Sequence, residues 1–410
     1  MPMTIPPGMG KKILLSLLLL AVAVLIGYAI FRMFFFTSPI SETFPEDDPS
    51  LGDGFPQAGP GIPGEFDPEG EGIFPGTDPI ISQPPLSSDP SSPTDPSEIA
   101  PRSAFATMNN QQKLQFYNPA DNRFYTVNAN GEIQMLADQQ FFNVSNVIWA
   151  PDGDKAIIEY PDGNKINYNF QTNRQVTLPK HWKDFDFSPN GDQIVSKSIG
   201  LDPQNRWLIV SSDDGSQSKA IEPLGDNERM VISSWSPNNQ MVAMYVQGVD
   251  FNRKEVFFVG QNNENFKSII TEGRDFRPLW SPTGQQLVYS VYSSDNDYKP
   301  TLWTVDAHGD AVGANRRPLN LNTWADKCTF AGNNGLYCAV PQRLERGAGM
   351  LPEIAANTPD VLYRINLQTG LREMINTNLN HPMTNLRLSP DGNYLYYIDP
   401  ISGRLMRINL

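Results

Sequence analysis

Hydrophobic and polar positions follow three different regimes along the 410-residue chain. From Ile13 to Ile30 there are 18 consecutive uncharged, mostly apolar residues (ILLSLLLLAVAVLIGYAI), and after Phe31 and Arg32 the apolar character resumes through Phe36. From 37 to 102 no apolar period is visible. Beyond 103, short apolar runs alternate with polar residues and are separated by Pro, Asn, Asp and Gly, the pattern of brief strands joined by turns.

The first regime is long enough to cross a bilayer as one helix. A cleavable signal peptide would have a shorter apolar core followed by a small-residue cleavage site, whereas Ala21-Val22-Ala23 lies inside the run. Residues 13–36 therefore predict an uncleaved single-span anchor. Lys11 and Lys12 precede the span, and after Arg32 the next basic residue is Arg102. By the positive-inside rule, residues 1–12 are cytoplasmic and the rest is extracytoplasmic. Residues 37–102 contain 15 Pro, 8 Gly, 13 acids and one base. Such a segment buries too little apolar surface to offset chain entropy, so it predicts a disordered, self-repelling stalk.

From 103 to 410 one motif recurs: an aromatic or apolar residue, a small residue, Pro, a turn, then an apolar strand. The copies begin at Trp149, Phe187, Trp235, Trp280 and Leu388 (WAPDG, FSPNG, WSPNN, WSPTG, LSPDG), with a degenerate copy at Phe330 (FAGNNG). Each is a hairpin, because Pro and Asx-Gly supply turn geometry between two antiparallel strands. A third strand follows in each unit, centred on Tyr125, Tyr168, Ile209, Phe257, Trp303, Tyr363 and Met406, and a fourth short strand usually follows that. Four strands at a period of about 40–50 residues make a propeller blade. The expected fold is an all-β propeller over 103–410 with seven four-stranded blades, six being the alternative. The chain ends after a third strand, so Ser103–Met108 is expected to close the ring by completing the last blade.

These repeats resemble the WD40-like PD40 repeats of TolB and of the propellers attached to prolyl oligopeptidase-type enzymes. The resemblance covers about 103–410. It implies a propeller but no particular activity, since one such fold serves many tasks. The chain departs from TolB in lacking a recognisable globular N-terminal domain, and from the peptidases in having no hydrolase domain after the propeller.

Charge and candidate chemistry refine this picture. The net charge of −14 is concentrated between 37 and 102; the segment from 103 onward holds 27 basic and 32 acidic residues. A nucleic-acid partner is not expected, for want of a basic footprint. Nucleophile-elbow, P-loop, dinucleotide and metalloprotease spacings are absent. His181, His308 and His381 lie in different repeats, so no metal, cofactor or catalytic group is expected. In the degenerate hairpin, pairing Phe330 with Leu336 sets Cys328 directly across from Cys338, near enough for a disulfide; two reduced core thiols are the alternative. The binding candidates lie on loops joining second to third strands and joining blades: Trp182, Arg274, Phe276, Trp324, Arg343 and Arg346. Aromatic and Arg residues on long loops are the anchors protein interfaces use. The expected function is a membrane-anchored module binding an envelope protein or a cell-wall polymer. The alternatives are a lyase- or glycosidase-like propeller using loop carboxylates around the channel, and a structural spacer.

Overall fold

The computed structural model describes residues 95–410 apart from 129, 130 and 263; the expected anchor and most of the expected stalk lie outside the described residues. Among the described residues no helix is long and apolar enough to cross a membrane.

Seven four-stranded antiparallel sheets form the propeller. Blades 1 to 6 occupy residues 104–135, 146–178, 182–223, 231–271, 274–318 and 328–375, with strands in chain order from the channel outward. Blade 7 takes three strands from 384–409 and its fourth, outermost strand from Ser97–Ala100. Seven hydrophobic clusters fill the seven junctions between adjacent blades. Each blade is thus amphipathic on both faces at once, and no blade buries its apolar surface without its neighbours.

The hairpin motif has a local physical cause. In four copies the Ser before Pro is buried, and its Oγ accepts the backbone N–H that opens the second strand: Gln193 to Ser188 (3.0 Å), Met241 to Ser236 (2.9 Å), Gln286 to Ser281 (3.0 Å) and Tyr394 to Ser389 (2.8 Å). The turn closes with a left-handed residue, Gly191, Asn239, Gly284 or Gly392, a conformation open to Gly and tolerated by Asn. The tryptophans that start the motif tie blades together. Trp149 Nε1 donates to Phe105 O at 2.7 Å, and Trp280 Nε1 donates to Ser234 Oγ at 3.1 Å, each across a blade junction.

Ring closure differs from the expectation. Ser97, Glu98 and Ala100 pair with Arg407, Met406 and Leu405, and Glu98 forms an ion pair with Arg404 at 3.3 Å. Ala104–Met108 instead becomes the innermost strand of blade 1, paired with Leu114–Asn118. The physical reason is proximity in chain: a hairpin turn joins Met108 to Leu114, so their pairing carries a small loop-closure cost. The first strand of the propeller therefore begins at Ser97, inside the segment assigned by composition to the stalk. A strand of four residues is invisible in a window dominated by Pro and acid, yet Ala100 is buried in the junction between blades 7 and 1.

In blade 6, Phe330 pairs with Leu336 and Cys328 with Cys338, and the two cysteines are joined by a disulfide with Cα atoms 4.1 Å apart. Both lie in the core shared by blades 5 and 6.

Candidate functional site

Up-and-down strands divide the connections between the two ends of the blades. One end carries the hairpin turns and the turns joining third to fourth strands. The other carries the links from second to third strands and from blade to blade, and here lengths vary most, up to the segment between Pro341 and Asp360.

The aromatic candidates on this loop face are not exposed anchors. Trp182 and Phe276 are each 6% exposed and Trp324 is 5% exposed. Trp182 plugs the junction of blades 2 and 3 beside Leu178 and Phe185. Phe276 packs on Tyr289 with ring centroids 5.2 Å apart. Trp324 lies beneath the long blade 6 loop, against Leu344, Ala348 and Ala355. They sit at the ends of first strands or just before them, where the chain re-enters the ring, and burial there completes each junction core. The arginines behave differently. Arg343 is exposed at 84% of its side chain, 4.0 Å from Glu345, and Arg346 is also exposed. Arg274 is pinned: its guanidinium stacks 3.9 Å from the Phe251 ring centroid and its Nε donates to Phe251 O at 2.6 Å.

The exposed apolar surface of the loop face comes from other residues. Between second and third strands, blade 3 exposes Leu201, blade 4 Val249 and Phe251, blade 6 Met350, Leu351 and Ile354, and blade 7 Ile401. The blade-to-blade links add Phe142 and Met230. On the hairpin face, among the described residues, the large exposed hydrophobics are Leu371 and Leu410. The loops of blades 4, 5 and 6 also hold one another. Asn252 Nδ2 donates to Ser294 Oγ at 2.8 Å, and Gly347 and Gly349 donate their N–H groups to Asp297 O and Tyr298 O, both at 2.8 Å. Within this edge, Arg253 holds the Asp250 carboxyl below the usual carboxylate range, and Arg277 bridges Asp275 and Asp326.

Beneath it, Lys327 and Asp360 form a buried ion pair at 2.6 Å, and Asp360 also accepts from Met383 N at 2.6 Å. The pair joins the entry to blade 6, its third strand and the link into blade 7. Burial raises the Asp360 pKa, and Lys327 opposes the rise. A cleft of about 400 Å³ opens between blades 3 and 4, lined by Leu208, Leu224, Tyr245, Phe257 and Glu264; it continues the core of that junction.

The first strands line the central channel. One position on each, the residue before the motif aromatic or its counterpart, retains water access in all seven blades: Thr107, Ile148, Asp186, Ser234, Leu279, Thr329 and Arg387. The residue preceding it is buried in five of the seven. Asp186 accepts from Trp235 N at 2.7 Å and Phe187 N at 2.9 Å, and burial pushes its pKa up to about 6 against those bonds. Among the described residues there is no group of three or more His, Cys, Asp or Glu able to hold a metal ion.

Comparison with known proteins supports the fold and stops there. No protein-family model matches the sequence, and no curated protein matches it. Among solved structures, the tricorn protease aligns with a TM-score of 0.50 and 13% identity over 78% of this chain. The alignment covers 34% of the tricorn chain, so this protein spans about a third of that enzyme's length. The Cps50 (Swd1) β-propeller domain of Myceliophteria thermophila aligns at 0.49 and 10% identity, covering 75% of this chain and 97% of the domain. An oligogalacturonate lyase solved with manganese aligns at 0.45 and 13% identity, covering 77% and 93%. At 13% identity the tricorn likeness shows the fold alone; the seven four-stranded antiparallel blades are read from the strand pairing of this chain.

Proposed function

We propose that this protein is a binding module that holds a protein partner on its loop face, with residues 13–36 anchoring it in a membrane and the partner drawn from the cell envelope. The observation that carries this reading is the one-sided distribution of exposed apolar side chains. Among the described residues nine large hydrophobics project from the loop face and two from the hairpin face. Apolar loop tips rimmed by charged pairs such as Asp250–Arg253 suit a protein surface, where a hydrophobic centre is enclosed by a polar rim. A cell-wall polymer fits less well, because Trp182 and Trp324, the indoles that would stack on sugar rings, are occupied in cores.

The test is affinity capture by the full-length chain after in-membrane crosslinking. Combined Phe251→Ser, Met350→Ser and Leu351→Ser is expected to abolish a crosslinked protein adduct that Leu371→Ser, on the other face, leaves intact. Equal adducts from both variants would reject the loop face as the binding surface. Recovery of the full-length chain in the alkaline-washed membrane pellet, and its release on deletion of 13–36, checks the anchor.

A further inference from the structure

We propose that the central channel binds an oxyanion, a carboxylate or phosphate group, on the guanidinium of Arg387. The starting point is how this chain treats its enclosed cations. Lys155 is paired with Asp213, Lys197 with Asp184 and Lys327 with Asp360, each at 2.6 Å. Lys165 donates to the carbonyls of Gly163 and Lys180. Arg387 is enclosed by protein, yet it has no acidic partner among the described residues. Among the described residues its side-chain hydrogen bond is a 2.7 Å bond from Nη1 to the carbonyl of its own neighbour Leu386. Guanidinium groups carry five donors in a planar fork that suits carboxylate and phosphate oxygens.

Its position says where those donors look. Arg387 lies on the innermost strand of blade 7, paired with Tyr396, in register with Asp186 opposite Val195 and Thr329 opposite Tyr337. Water access combined with enclosure is the condition of a side chain lining an internal channel. At this level the other blades place hydroxyls (Thr107, Ser234, Thr329), aliphatic groups (Ile148, Leu279) and one acid. That acid, Asp186, is three blades away, the greatest separation a seven-membered ring allows, and its oxygens are engaged by two backbone N–H groups. The carboxylate is therefore satisfied within the fold and the guanidinium is not.

Energetics point the same way. An enclosed cation without a partner costs stability, and burial pushes the Arg387 pKa down to about 10. Blades 1, 2, 5 and 6 close their ring position with Thr, Ile, Leu and Thr, so the architecture does not need a charge there. A costly group that the fold does not use is the signature of a site.

The experiment titrates the full-length chain with acetate and with inorganic phosphate at constant ionic strength, sodium chloride serving as reference, and follows the thermal midpoint and the binding heat. One oxyanion is expected to raise the midpoint beyond chloride; acetate alone assigns a carboxylate ligand and phosphate alone a phosphate ligand. Arg387→Gln should weaken that binding about tenfold or more, and Arg387→Lys should retain part of it. Asp186→Asn, which removes the opposing negative charge, should tighten it about threefold. Leu371→Ser on the hairpin face should leave it unchanged. No response beyond chloride in the unsubstituted protein overturns the proposal whatever the variants do, and so does a full response in Arg387→Gln.

Discussion

The two ends of the blades are made from the same repeats and obey different rules. At the hairpin end the turn backbone is closed mainly by the motif itself: Ser236 and the left-handed Asn239 close one turn, while the Asn238 side chain reaches Gly284 O of the next blade. At the loop end the connections are satisfied by other loops, as when Gly347 and Gly349 of blade 6 bond to the backbone of blade 5. The hairpin end consequently repeats in shape from blade to blade. The loop end is free to differ, and it is there that apolar tips accumulate. A propeller thus separates the chemistry that closes its strands from the surface that it presents.

The sharpest way to break this contrast is to attack an aromatic that looks like loop surface in the sequence and is core in the structure. Trp182→Ala should destabilise by about 3–5 kcal/mol, the cost of a large cavity, measured by urea unfolding; a loss below about 1 kcal/mol would return Trp182 to the exposed class.

Next in size is a group belonging to neither end. Asp186 has a folded pKa of about 6 against an ordinary value of 3.8, burial being the main cause. Between those values the native state holds more protons than the unfolded chain, so stability falls as pH rises through that window, by roughly 3 kcal/mol in all. Asp186→Asn removes this contribution. The variant's stability relative to the parent should therefore climb from pH 4 to pH 7 and level off above; a flat difference would show the carboxyl to be solvated.

Ser236→Ala tests the hairpin end itself. It leaves the N–H of Met241 without its acceptor, and should cost about 1–3 kcal/mol in the same unfolding assay. The smallest effect is expected at the loop end, where Phe251→Ser and Met350→Ser should each change stability by about 0.5 kcal/mol or less while weakening binding. If Phe251→Ser destabilises as much as Ser236→Ala, the loop tips are structural and the contrast between the two ends fails.

The blades were legible because their causes are local. Pro-Asx-Gly turns, alternation on the second strand and seven third-strand centres define the repeat count, and the pairing of Phe330 with Leu336 is enough to set Cys328 across from Cys338. The site was less legible. Trp182, Phe276 and Trp324 are aromatic residues on long connections, but whether an aromatic there faces water depends on a neighbouring blade or an overlying loop. Leu201 and Ile401 carry the opposite lesson: each is a single aliphatic in a turn-rich stretch (GLDPQ, DPISGR), and only the surrounding geometry shows it uncovered. Arg387 gave no sequence signal at all beyond occupying the place that Thr or Leu takes in other repeats.

The sequence by itself determined the repeating unit, the hairpin chemistry and the cysteine register, and favoured seven blades over six, because each rests on contacts among residues close in the chain. The tertiary structure alone decided which strand closes the ring, which aromatics are core and that Arg387 lies on an inner strand without an acidic partner among the described residues. Those outcomes depend on pairing across some 300 residues, as between Ser97 and Arg407, and on the packing of one blade against the next, which no local pattern encodes.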